Sequence, residues 1–200
     1  MKDIISVSTN TYHGFTVDQA LEGIAAAGFK YVELTAVRGW TEHIMPELPE
    51  EELSRIQTKM KDLGLSCIAV SGHCNLTDPE RLNDFRANMA LAKRFGASYI
   101  ISSTGEAHFG KDEAFTDDVL IENIKALVPD LERLGLKLGI EVHGEYGTGE
   151  SLARIVRGVG SPLVGVNFDT ANVVFYGGKD PMDDLKTCVK ETNFVHLKDK

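Results

Sequence analysis

Four glycines set the frame of this chain. In AAAGFKYVEL, KDLGLSCIAV, KRFGASYII and ERLGLKLGIEV a helix-like segment runs into Gly28, Gly64, Gly96 or Gly135, and an apolar strand-like run follows within a residue or two. A helix ends well on a glycine just past its C-cap, because that position requires positive φ. The glycines are 36, 32 and 39 residues apart, the length of one strand–helix unit. Helix starts fall where this rhythm needs them. Thr16 with Gln19 forms a capping-box pattern ahead of Val17, Ala20, Leu21 and Ile24. Asp78-Pro79 and Asp180-Pro181 each set a cap before a proline at the first helical position. Thr116 precedes an apolar stripe of Leu120, Ile124, Leu127, Leu131 and Leu134, in which Pro129 is expected to kink the helix.

Strands are expected at about 3–8, 30–35, 66–71, 98–102, 137–142, 163–168 and 193–198. They are apolar rather than alternating, as in a parallel sheet covered on both faces. No linker or low-complexity stretch interrupts the alternation, so residues 1–200 read as one domain. The choice lies between a doubly wound sheet and a (β/α) barrel. No GxGxxG follows the first strand. The stretch GEYGTGES has the outline of a phosphate loop, but Glu150 stands where the phosphate-binding lysine belongs and would repel a phosphate. The barrel is the better reading.

Composition narrows the function classes. Thirty acidic against 21 basic residues give a net charge of −9, which disfavours a nucleic-acid partner. No apolar run is long enough to span a membrane, and MKDIISVSTN does not have the form of a signal peptide. The three cysteines, Cys67, Cys74 and Cys188, lack zinc-type spacing and read as structural thiols in a reduced, cytoplasmic setting.

Chemistry shows where the strands break their own pattern. Side chains alternate faces along a strand. In LGIEVHG, Leu138, Ile140 and Val142 share the helix-facing side, while Glu141 and His143 point into the barrel. In VGVNFDTAN, Val166 and Phe168 face outward and Asn167 and Asp169 inward. In FVHLKD, Val195 and Leu197 face outward and His196 and Lys198 inward. Glu33 lies opposite Val32 and Leu34, and His73 sits just past a strand end. A buried carboxylate needs a partner, and several acids converging with a His suggest a cation. Each residue also has a plainer reading. Glu33 fits a buried ion pair with a Lys or Arg, and Glu141 an ion pair as well as a ligand. His73 and His143 fit hydrogen-bonded core residues, Asp169 a helix cap, Lys198 a solvated strand end and Trp40 loop packing. His13, His43 and His108 read as surface or loop residues. Taken together, Glu141, Asp169 and His196 on three successive strands make a donor set suited to Mn²⁺, Mg²⁺, Co²⁺ or Zn²⁺.

At IEVHGE, NFDTAN and FVHLKD, with YVEL and SGH earlier, the chain resembles the xylose-isomerase-like TIM barrels. That superfamily includes sugar and sugar-phosphate isomerases and epimerases, inosose and dehydroshikimate dehydratases, and the endonuclease IV group. The resemblance implies a (β/α)8 TIM barrel with about seven strands present here, and a divalent metal held by Glu141, Asp169 and His196. It makes Glu141 the catalytic acid/base, working through an enediolate, and His73, Asn172 and Lys198 substrate contacts. The expected partner is a small carbohydrate, with a homo-oligomer left open. The same site also serves lyases that dehydrate an inosose or a dehydroshikimate-like keto acid. A fragment or binding module without activity is a third reading.

Two departures stand out. Family members tend to have D-x-x-H after strand six, where this chain has Asp169-Thr-Ala-Asn172. The family's fourth ligand, a Glu on an eighth strand, has no counterpart, so the domain is expected to be C-terminally incomplete by about 60–80 residues at this repeat spacing.

Overall fold

The computed structural model describes residues 4–105 and 116–199. Seven parallel strands lie in sequence order: β1 (Ser6–Ser8), β2 (Tyr31–Val37), β3 (Ser66–Ser71), β4 (Tyr99–Ser102), β5 (Lys137–Glu141), β6 (Val164–Asp169) and β7 (Thr192–His196). The sequence did not anticipate a short antiparallel arm, Thr41–Glu42, that folds back on the end of β2. Helices α1 (Val17–Ala26), α2 (Glu50–Asp62), α3 (Leu82–Arg94), α4 (Asp117–Lys125), α5 (Val128–Leu134), α6 (Gly149–Val159), α7 (Thr170–Phe175) and α8 (Pro181–Cys188) connect them.

The local signals operate as the residues predict. Gly28, Gly64, Gly96 and Gly135 all have positive φ, so each ends its helix at no steric cost. Thr16 and Gln19 close a capping box at α1, and Asp180 caps α8. Pro129 does more than kink a helix. Having no N–H and a ring that crowds the carbonyl four residues back, it divides the segment into α4 and α5. The stripe survives the break, with Leu120, Ile124, Leu127 and Leu131 fully buried.

The layers separate cleanly in the middle of the sheet. Leu138, Ile140, Val142, Val166 and Phe168 pack into the shell between strands and helices. Val195 and Leu197, expected to pack the same way, are 50% and 86% exposed. Glycines make the interior of β5 and β6 narrow. A Cβ at Gly165 would lie 2.5 Å from Asn193 Cγ, and one at Gly139 only 2.8 Å from Ile101 Cδ1. Asn193 fills that space and donates from Nδ2 to the Leu138 carbonyl at 2.9 Å.

The sheet curls strongly. In a flat sheet β2 and β7, five strands apart, would lie about 24 Å from each other. Instead Glu33 on β2 and His196 on β7 meet side chain to side chain at 2.9 Å. The molecule is a partial (β/α)8 barrel, and no pairing joins β7 to β1 among the described residues. No helix among them is long and apolar enough to cross a membrane.

Candidate metal centre

Glu141, Asp169 and His196 end three neighbouring strands. The register pairs Glu141 with Asn167 and Asp169 with His196, and from these neighbouring strand ends the three side chains converge at the C-terminal rim. One donor atom from each lies within 4.8 Å of the others. His196 Nδ1 is 2.6 Å from Glu141 Oε1 and 3.8 Å from Asp169 Oδ2. Its Nε2 is 2.9 Å from Glu33 Oε2. Glu33, Glu141 and Asp169 are buried, at 2%, 4% and 0% exposed.

Local structure fixes each group. Asp169 is the last residue of β6 and the N-cap of α7. Its Oδ1 accepts from the Ala171 and Asn172 N–H groups, and Oδ2 pairs with the Lys198 ammonium. The cap and the functional reading of this residue are therefore compatible, since they use different oxygens. His73 Nδ1 accepts from the Ser103 N–H at 2.9 Å, so the ring carries its proton on Nε2, which lies 3.3 Å from Glu141 Oε2. His73 is thus a close neighbour of Glu141, with Nε2 beside Oε2. Lys198 lies just beyond β7, half-exposed, with Nζ 3.8 Å from Glu141 Oε1. The Asn172 amide donates to the Val142 carbonyl at 2.9 Å, a bond that ties α7 to the end of β5.

Electrostatics follow from burial and these contacts. For His196 burial opposes the charge, but Glu33 and Glu141 on either side raise its pKa well above the usual imidazole value. Burial likewise acts to raise the Glu141 carboxyl, yet His196 holds it well below the ordinary range. Glu33 is also lowered, by His196 against its burial. Asp169 goes the other way, pushed up by burial and by the neighbouring Glu141 charge. Three carboxylates thus face two cationic side chains across a few ångströms.

Some residues fall elsewhere. His143 is past the end of β5, where strand alternation no longer sets direction. It bridges to Tyr146 in a turn and bonds the Tyr176 hydroxyl through Nε2 at 3.0 Å. His43, expected as a surface or loop residue, lies in the loop after Thr41–Glu42 and is buried there, with Nε2 bonded to the Phe15 carbonyl. His13 is exposed and stacks on Trp40 at 4.1 Å, in keeping with loop packing for Trp40. His108 lies outside the described residues. The three cysteines are free and buried. The rejected phosphate loop has its own explanation: the first N–H of α6, on Gly149, is taken by the buried Asp184 carboxylate at 2.6 Å, leaving no place for an anion.

The pattern of the family described as "Xylose isomerase-like TIM barrel" matches residues 21–200. The chain belongs to that family. Among solved structures it is similar to a xylose isomerase-like TIM barrel protein from Mycobacterium smegmatis in complex with magnesium, with a TM-score of 0.79 at 17% identity over 98% of this chain and 74% of that one. A D-psicose 3-epimerase crystallised with D-fructose gives a TM-score of 0.76 at 17% identity, over 96% and 71%. The probable 3-DHS dehydratase AsbF from Bacillus anthracis gives 0.74 at 16%, over 98% and 73%. At such identities the likeness establishes the fold. Comparison with the curated proteins gives no match.

Proposed function

We propose that this family member binds a divalent metal through Glu141, Asp169 and His196 and acts on a small sugar, polyol or sugar phosphate as an isomerase or epimerase. The observation that carries the reading is the convergence of two carboxylate oxygens and one imidazole nitrogen, from three successive strands, within 4.8 Å. These are hard-to-borderline donors, and the set fits Mn²⁺, Mg²⁺, Co²⁺ or Zn²⁺. When bound, such a metal polarises the substrate carbonyl.

The protein's own groups supply the rest. Glu141 is ionised and takes the proton from the carbon next to the carbonyl, leaving an enediolate. His196 Nδ1 bonds Glu141 Oε1 while His73 Nε2 lies beside Oε2, and together they fix the direction of the carboxylate. The Lys198 ammonium, held at the rim by Asp169, is placed to bind an enediolate oxygen, a carboxylate or a phosphate. Asn172 borders the same rim, and its amide keeps α7 in register. Returning the proton from Glu141 to the adjacent carbon on the same face gives an isomerase. Returning it from the opposite face needs a second acid on that side.

The half-exposed Lys198 beside two of the proposed ligands also favours a second reading, a lyase in which the enolate expels hydroxide. Product analysis with Mn²⁺ on ketoses, inososes and cyclic keto acids separates the two: a new sugar isomer supports the first, net loss of water the second. Glu141→Gln is expected to lower turnover at least about 100-fold and to weaken Mn²⁺ binding. Unchanged turnover and binding in that variant would end the proposal.

A further inference from the structure

Among the described residues, Glu33 is the one buried acid at this site that is not among the clustered donors. It approaches His196 from the opposite side of the ring. Its Oε2 is 2.9 Å from Nε2, whereas Nδ1 faces Glu141 and Asp169. It comes from β2, on the far side of the barrel interior. A structural ion pair needs only proximity. This contact is more specific, because it reads one particular nitrogen of the imidazole.

That selectivity has a chemical consequence. An imidazole offers a lone pair to a metal from one nitrogen only while the other keeps its proton. A carboxylate that accepts the second N–H fixes the tautomer, holds the ring plane and makes the ligating nitrogen more basic. We propose that Glu33 is a positioning residue that keeps the proton of His196 on Nε2 and thereby commits Nδ1 to the metal. The inference rests on the metal-binding reading above and assigns a role to a residue outside its donor set.

Mn²⁺ titration and imidazole ¹H–¹⁵N NMR with Zn²⁺ test it on the folded chain. Wild type is expected to show His196 protonated at Nε2 and metal-shifted at Nδ1. Glu33→Ala should bind Mn²⁺ about 10–100-fold more weakly. Glu33→Gln keeps an acceptor oxygen at nearly the same place, so it should recover part of that loss and retain the tautomer. A residue that only stabilised the fold would lower the melting temperature in Glu33→Ala without changing affinity or tautomer. Affinity within twofold of wild type in a folded Glu33→Ala chain would overturn the proposal. So would a wild-type spectrum with the metal on Nε2, which settles the matter even if Glu33→Ala does not fold. A wild type that binds no Mn²⁺ would remove the metal site itself. Binding that is lost in Glu141→Gln but intact in Glu33→Ala would remove only the role of Glu33.

Discussion

The two halves of the barrel interior solve the problem of buried polarity differently. Along β1 to β4 the interior is lined largely by neutral hydroxyls that satisfy one another or the backbone. Thr9 donates to Thr35 at 3.1 Å, and Ser102 donates to the Ser103 carbonyl and accepts from the Cys74 N–H. Along β5 to β7 it is lined by charge: Glu141, Asp169, His196 and, at the rim, Lys198. Neutral hydrogen bonds of this kind contribute about 1 kcal/mol each and need no outside partner. Buried charges are stable only in company, and removing one member strands the rest. The charged half is accordingly interdependent, while the neutral half is a frame. Glu33 and His73 are the two reaches of the frame into the charged half.

The sharpest break of this contrast is His196→Ala, studied in chelator without metal. It leaves Glu33 and Glu141 buried without the cation between them, and a loss of about 3–5 kcal/mol is expected at neutral pH. The pH dependence has a definite sign. Once His196 is gone, burial is the main influence on both carboxyls and raises their folded-state pKa values above the unfolded ones. The folded variant then retains protons that the unfolded chain releases, so its stability is greatest below the unfolded carboxyl range and falls as pH rises. Urea midpoints for wild type and variant should converge near pH 4 and diverge toward about pH 6; above that the unfolded chain releases the His196 proton that folded wild type keeps, so wild type loses stability as well. A gap independent of pH would mean the carboxylates are not stranded.

A smaller effect tests how tightly the two halves of the interior are built. Gly165 sits under Asn193, and an added Cβ would lie 2.5 Å from Asn193 Cγ and 2.7 Å from the Glu191 carbonyl oxygen. Gly165→Ala should cost about 1–3 kcal/mol. Adding Asn193→Ala removes the side-chain clash but not the backbone one, so a double-mutant cycle should show partial relief. Strict additivity would mean the side chain is not the obstacle.

What the sequence revealed follows the same division between near and far. Helix ends, caps and the strand residues Glu141, Asp169 and His196 are local patterns, and each is legible over a few positions. The partner of Glu33 is not, because it lies 163 residues away and only the curl of the sheet brings it in. Alternation misplaced His143 because β5 ends at Glu141 and the chain turns before the next inward position. His43 is a loop histidine as its flanks suggest, but nothing in them signals its burial or its bond to the Phe15 carbonyl, 28 residues away. Asn193 carries no signal of its role in its own flanks, because Gly139 and Gly165, on two other strands, make room for it. The strand–helix repeat was readable from the glycine spacing and the apolar strand runs, whereas the narrow interior was not.

The mildest change is the most exact probe of the neutral half. Thr35→Val preserves shape but removes the oxygen to which the Thr9 hydroxyl donates, with both side chains fully buried. The Thr9 oxygen keeps its bond from the Thr35 N–H, so only one donor is left unsatisfied. A loss of about 1 kcal/mol is expected. Neither threonine titrates, so the loss in urea midpoint should be the same from about pH 4 to about pH 6, over which the His196→Ala penalty grows. A Thr35→Val penalty that rose with pH would place the hydroxyl pair in electrical contact with Glu33, two residues earlier on β2. The two halves would then be one coupled network rather than a neutral frame holding a charged site.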